Sequence, residues 1–331
     1  MIQKLSIRNF KSIRHLELDC RRVNVFIGEP NVGKTNILEA LALWCYPVLQ
    51  SLNKTIRVER RSQLHFDNDL SSPVEIGFDD EKLLFTDNGS STSLTTMSET
   101  RESLPLRDLT SDLQWEDPYD PKEWDGIEWL DSLTRYYVFS NQAGEPSVEE
   151  KRLACPFGSN LFRLLLSNKN ARQISSSYFQ GSGLKLNLDS SLGKVMLAKE
   201  VDDTFISFQY EAASETLRRM VFYSLALETN SNQVLVFDEP EAHSFPPYTK
   251  TLAERIALDD RGNQFFLTTH SPYMLDSLLS KTPASELNVV LCRMENFETK
   301  AYSLNQEQID QIKEWSMDAF FNFDRLLPEK E

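Results

Sequence analysis

VNVFIGEPNVGKTNILEALALW, Val23 to Trp44, is the stretch on which the fold turns. An apolar, β-branched run from Val23 to Ile27 bends through Gly28-Glu29-Pro30-Asn31-Val32-Gly33-Lys34-Thr35 and continues in the helical pattern Ile37, Leu38, Ala40, Leu41, Trp44. Strand, glycine loop and helix follow with the spacing G-x-x-x-x-G-K-[ST], which predicts a cradle for a nucleoside triphosphate. Glycines let backbone N–H groups curl round phosphates without a Cβ clash, and the helix N-terminus adds the positive end of its dipole. This assigns cofactor binding to Gly28, Asn31, Gly33, Lys34, Thr35 and Asn36. Lys34 is expected to reach the β and γ phosphates, and the Thr35 hydroxyl to bind Mg²⁺.

A second apolar strand, Val234-Leu235-Val236-Phe237, runs into Asp238-Glu239-Pro240-Glu241. The strand end puts Asp238 beside Mg²⁺, and Glu239, one residue on, faces the attacking water as general base. A third strand, Gln264 to Thr268, delivers Thr269-His270-Ser271-Pro272. A histidine there can hydrogen-bond a γ-phosphate and report whether it is intact. The expected catalytic set is Lys34, Glu239 and His270, and the expected metal ligands are Thr35 and Asp238.

Composition narrows the partners. With 40% hydrophobic and 26% charged residues the chain reads as globular, and its net charge of −15 argues against clamping DNA over the whole surface. Any nucleic-acid contact must be local or delegated. The most basic short window, Asn53 to Arg61, holds Lys54, Arg57, Arg60 and Arg61, and is either a contact for nucleic acid or a partner, or a solvated face. No apolar run approaches the ~20 residues of a membrane span, and Met1 to Phe10 lacks a signal-peptide core, so a cytoplasmic protein without membrane contact is expected. Cys20, Cys45, Cys155 and Cys292 form no C-x-x-C pair, which argues against a zinc site and makes small buried hydrophobes of them.

Around these motifs, residues 1–22 alternate as a β-hairpin, with Lys11 in its turn either a nucleotide neighbour or an ordinary turn lysine. The helix after the phosphate loop is expected to end near Tyr46-Pro47. Gln63 is a weak candidate for a Mg²⁺-sensing glutamine. Val74 to Phe78 and Lys82 to Phe85 read as paired strands closing at Asp87-Asn88-Gly89, and Ser90 to Thr100 as a linker. Arg107 to Asp131 holds nine acidic residues with Trp115, Trp124 and Trp129 interleaved, either a docking surface or an amphipathic insert packed on the body. Asn160 to Leu166 reads as a short buried helix, Leu184 to Leu188 and Val195 to Tyr210 as strands, and Ser214 as the N-cap of a helix. A strand pair around Glu295-Asn296 and a helix from about Gln306 to Trp315 follow. Phe320, Phe321 and Phe323 close the chain as packed aromatics or a docking segment.

Taken together, IRNFKSI, GEPNVGKTN, VLVFDEPEAH and LTTHSP resemble the ABC-type ATPases of the SMC-like and RecF-like group, above all the ATPase half of OLD-family proteins and their stand-alone relatives in bacterial antiphage systems. The likeness covers about 1–90 and 195–305. It implies an α/β, ABC-type ATPase fold with a mixed central sheet, an N-terminal antiparallel β lobe and a mainly helical insertion. The corresponding division is 1–90, 91–187, 188–305 and a helical tail 306–331. It also implies ATP and Mg²⁺ as cofactors, and a homodimer or higher homo-oligomer. In that dimer each ATP lies between the phosphate loop of one subunit and the signature loop, here at Ser214, of the other.

Two departures stand out. Glu215 occupies the place of the signature glycine and sets a negative charge near a partner's γ-phosphate unless Arg218 or Arg219 compensates. The family's H-L-H-P reads His243-Ser244-Phe245-Pro246. OLD nucleases add a Toprim domain, and Asn305 to Glu331 contain no D-x-D pair, so an ATPase without its own nuclease is expected. Three readings follow: a sensor or scaffold that controls a separate effector, such as a nuclease, in antiphage defence; a RecF-like repair ATPase that grips DNA; and a nucleotide-binding subunit that scarcely turns over.

Overall fold

The computed structural model describes residues 1–45, 52–98, 104–109, 113, 134–141, 151–315 and 320–326. β1 (Lys4–Phe10) and β2 (Ile13–Asp19) form the expected hairpin, paired antiparallel with Phe10 opposite Ile13. They open a six-stranded antiparallel sheet in the order β2-β1-β4-β5-β6-β7, with β4 Val74–Phe78, β5 Glu81–Asp87, β6 Thr92–Ser98 and β7 Leu104–Leu109. The linker expected over Ser90 to Thr100 is therefore corrected, since most of it is β6. Its threonines suit a pleated surface as β-branched residues, and Thr92, Leu94 and Thr96 alternate inward. The turn at Asn88-Gly89 leads into β6, and the one joining β4 to β5 lies at Asp79-Asp80, with Asp79 in the left-handed region at φ 54°.

The second six-stranded sheet runs β15-β14-β3-β13-β12-β8. Its strands are β3 (Val23–Ile27), β8 (Thr134–Tyr137), β12 (Val234–Phe237), β13 (Gln264–Thr268), β14 (Leu287–Glu295) and β15 (Glu298–Ser303). All neighbours are parallel except the β14–β15 hairpin, so the sheet is mixed. β3, β12 and β13 are buried along their whole length, as parallel strands covered on both faces must be. The one polar residue of β3, Asn24, satisfies its amide on the carbonyls of Arg21 and Phe265.

Helix α1 (Lys34–Ala42) is buried on most sides because it packs against strands of both large sheets. Trp44, just beyond it, stacks on Phe78 of β4 with ring centroids 4.7 Å apart and ties the end of α1 to the antiparallel sheet. Helices α2 (Leu161–Ser167) and α3 (Lys169–Gln180) adjoin a three-stranded sheet of β9 (Lys185–Asp189), β10 (Lys194–Val201) and β11 (Thr204–Gln209), in the order β11-β10-β9. The described part of 91–187 thus mixes β6, β7 and β8 with α2 and α3, and β8 joins the central sheet rather than an insert. Helix α4 (Glu215–Thr229) precedes β12, α5 (Pro246–Ala257) follows it, α6 (Pro272–Lys281) follows β13, and α7 (Gln306–Trp315) follows β15.

The expected helix end at Tyr46-Pro47 and the three tryptophans 115, 124 and 129 lie outside the described residues; α1 itself ends at Ala42. Of the closing aromatics, Phe323 is buried and Phe321 exposed. Cys45 and Cys155, distant in sequence, are both buried with their sulfurs 3.4 Å apart. Among the described residues no helix is long and apolar enough to cross a membrane.

Candidate functional site

In a parallel sheet the carboxyl ends of neighbouring strands share one edge, where ligands of open α/β sheets bind. Here that edge collects the loop after β3, the acids after β12 and the histidine after β13. Gly28 (φ 143°), Asn31 (φ 63°) and Gly33 (φ 90°) give the loop its left-handed turns. A Cβ on Gly28 would collide with the Cys292 carbonyl, and one on Gly33 with the side chains of Thr299 and Ser12, so the loop is clasped by β14–β15 on one side and the β1–β2 turn on the other. Lys34 is buried and donates to the carbonyls of Gly28 (3.0 Å) and Glu29 (2.7 Å). Burial lowers its pKa, and the acids Glu239 and Asp238 oppose that shift.

The acids meet the loop through hydroxyls. Thr35 donates to Asp238 Oδ1 at 3.2 Å, and Thr268, at the end of β13, donates to the same oxygen at 2.5 Å. Thr268 Oγ1 in turn accepts from the Glu239 N–H at 2.9 Å. β13 lies between β3 and β12, so Thr268 is the bridge between the loop strand and the acid strand, a role that motif spacing alone does not reveal. Burial pushes the Asp238 carboxyl up, and its two hydroxyl donors pull it back. A half-buried carboxylate grouped with a threonine hydroxyl is the donor set a hard divalent cation prefers, so these residues fit Mg²⁺.

Glu239 is half-exposed and left-handed at φ 43°, a conformation costing about 1 kcal/mol for a residue with a Cβ. Its Oε1 lies 3.4 Å from His270 Nε2. Burial first, then Lys34, lowers the His270 pKa below its ordinary value and keeps the imidazole neutral at pH 7. Next to it, Glu241 is buried and accepts from the Thr269 hydroxyl (2.5 Å) and the His270 N–H (3.2 Å).

Other expected contacts fall elsewhere. Asn36 donates to Ser12 Oγ (2.7 Å) and accepts from Arg57 Nη2 (3.3 Å), so its side chain is engaged behind the loop. Lys11 is paired with Glu39 of α1 at 2.5 Å, and Arg57 binds the same carboxylate at 2.9 Å. Burial pushes Glu39 up, but the two cations together hold its pKa below the ordinary value. Arg61 pairs with Asp87, so two cations of the basic window are held by the protein itself. Gln63 spends its side-chain oxygen on the N–H groups of Glu59 and Arg60.

Ser214 caps α4, accepting from the Leu217 N–H at 3.4 Å. Glu215 forms an ion pair with Arg219 at 2.8 Å, the compensation that the missing glycine calls for. Thr216 donates to the His243 carbonyl at 2.6 Å, tying the signature turn to the loop His243-Ser244-Phe245. Among the described residues no hydrogen bond or ion pair joins Ser214 to the phosphate loop of the same chain.

Two family models match separate segments: one described as "AAA ATPase domain" over residues 1–109, the other as "AAA domain, putative AbiEii toxin, Type IV TA system" over residues 157–276. Among solved structures the chain is similar to an SmcHead bound to the C-winged helix domain of ScpA, with a TM-score of 0.55 at 17% identity, covering 93% of this chain and 99% of that one. This is an SMC-head-type ABC ATPase fold. The chain is also similar to a second Smc head domain, with an extended coiled coil and bound to the C-terminal domain of ScpA derived from Pyrococcus furiosus, with a TM-score of 0.55 at 16% identity, covering 95% of this chain and 98% of that one. No curated protein matches the chain. The head fold accounts for both large sheets and for the converging strand ends. The two AAA matches fall on the segments that carry the phosphate loop and the Asp238-Glu239 turn.

Proposed function

We propose that this SMC-like head binds and hydrolyses ATP, and that it works as a sensor or scaffold that switches a separate protein effector in antiphage defence. The observation that carries the hydrolytic part is the convergence of Thr35 and Asp238 on one hydrogen bond, with Glu239 and His270 3.4 Å apart beside it. Lys34 is positioned to exchange its two loop carbonyls for phosphate oxygens. Thr35 and Asp238 would hold Mg²⁺, which when bound neutralises charge on the β and γ phosphates. Glu239 takes the proton of the attacking water, and neutral His270 donates to a γ-phosphate oxygen.

The homodimer, in which each chain lends its signature turn at Ser214 to the other, rests on the resemblance to ABC-type ATPases. The defence role rests on the resemblance to OLD-family ATPases, and the description of one matching family as a type IV toxin–antitoxin component agrees with it. The purified chain is expected to release phosphate from ATP with Mg²⁺ and to dimerise when Glu239→Gln slows turnover. Absence of ATP binding would end this reading. Recovery of no partner in a pull-down with the products of adjacent genes would remove its effector half. The DNA-gripping alternative is weakened by the pairing of Arg57 and Arg61 with Glu39 and Asp87.

A further inference from the structure

We propose that Glu241 is the positioning residue of the hydrolytic step: its buried carboxylate pins the turn Thr269-His270-Ser271 so that the His270 ring stays at its distance from Glu239. The inference rests on the ATPase reading above and adds a residue that its chemistry does not otherwise use.

One oxygen does the pinning. Glu241 Oε1 accepts from the Thr269 hydroxyl at 2.5 Å and from the His270 N–H at 3.2 Å, and Thr269 Oγ1 accepts from the Ser271 N–H at 3.0 Å. Three consecutive residues after β13 therefore hang from one side chain. Glu241 belongs to the turn of Glu239: the Ala242 N–H donates to the Glu239 carbonyl at 3.0 Å, and the Ser244 N–H to the Glu241 carbonyl at 2.9 Å. The residue thus couples the segment that carries the base to the segment that carries the imidazole, without touching the expected position of the substrate.

A carboxylate is a costly choice for this task. Glu241 is 7% exposed, and its Oε2 has no hydrogen-bond partner among the described residues. Burying such a group without full compensation costs free energy that a threonine or an apolar side chain would not. Retaining it is explained by what Oε1 holds, since a turn displaced by about 1 Å can cost 10²-fold in rate.

The test compares Glu241→Ala and Glu241→Gln with the wild-type chain in ATP turnover, ATP affinity and melting temperature. Glu241→Ala is expected to lower kcat by about 10- to 100-fold with KM for ATP changed less than about threefold. Glu241→Gln keeps an acceptor oxygen at Oε1 and is expected to recover at least about a third of the wild-type kcat. Should Glu241→Ala fail to fold, Thr269→Val, which removes the hydroxyl that Glu241 accepts, is expected to lower kcat in the same direction. Equal activity of Glu241→Ala and wild type overturns the inference, as does a glutamine variant as impaired as the alanine, or a fall in affinity that matches the fall in kcat. A wild-type chain that releases no phosphate overturns the ATPase reading and this inference together, whereas an active wild type beside an active Glu241→Ala overturns this inference alone.

Discussion

His270 Nε2 and Glu239 Oε1 stand 3.4 Å apart although they come from different strands, one after β13 and one after β12. The acid and the imidazole meet at the strand ends, near enough to Lys34 for its charge to lower the imidazole's pKa. If Glu239 is the general base, Glu239→Gln lowers kcat by about 10²- to 10⁴-fold and leaves ATP bound. Phosphate release and equilibrium binding of a fluorescent ATP analogue measure the two quantities separately. A variant that turns over like wild type removes the base from Glu239.

Lys34 is the buried cation of the phosphate loop, and its present partners are two carbonyls that phosphate oxygens can replace. Lys34→Ala is expected to weaken ATP binding by more than about 100-fold, roughly 2.7 kcal/mol, while the chain stays folded. Calorimetric titration together with circular dichroism decides this, and near-normal affinity would contradict the cradle.

Glu39 is expected to matter for stability rather than turnover. Its carboxylate answers both Lys11, buried to 10% exposure, and Arg57. Glu39→Ala strands the lysine, at a cost of about 3 kcal/mol. For a chain of 331 residues that amounts to a fall of about 4 °C in melting temperature. Adding Lys11→Met should restore part of it, because the uncompensated charge is then gone. A double variant no more stable than the single one would refute the ion-pair account.

Burial raises the Glu241 carboxyl from its ordinary 4.5 to about 7. The folded chain then binds more protons than the unfolded chain between those values, so this group's contribution to stability falls as pH rises from 4.5 to 7 and stays low above that. The swing is about 3 kcal/mol by linkage. Asp238 and Asp259, also raised by burial, act in the same sense; His65 and His270, lowered by burial, oppose it as pH falls through the ordinary histidine range. Comparing wild type with Glu241→Gln cancels these shared contributions. The glutamine variant is expected to gain on wild type as pH rises from 4.5 to 8, and a pH-independent difference in denaturant midpoint would exclude the shift.

Motif spacing was enough to find the loop, both acids and the histidine, because each is announced by a short apolar strand and a local residue pattern. Strand order was legible only in part: the order of the motifs suggests that the histidine's strand lies beside the acid-bearing one, as the β12–β13 pairing has it. Nothing in Gln264 to Thr268 says that β13 inserts between β3 and β12, and the bridging role of Thr268 depends on that insertion. Serine and threonine in Ser90 to Thr100 have a linker's composition, and only the alternation of Thr92, Leu94 and Thr96 marks the buried face of β6. The basic window leaves two readings open in sequence because the acids that answer Arg57 and Arg61, Glu39 and Asp87, lie outside it. Thr134–Tyr137 has too few residues to show a period, so its place at the edge of the central sheet emerges only from its pairing with β12.

The clasp around Gly33 joins Ser12 to Thr299, hydroxyl to hydroxyl at 2.6 Å across 287 residues. The loop's pocket is complete only when β15 has docked on it, and such a large sequence separation makes for slow folding. Nucleotide at a hundredfold excess over its dissociation constant would deepen the native basin by about 2.7 kcal/mol, acting as a third hand that holds two distant stretches of the chain together.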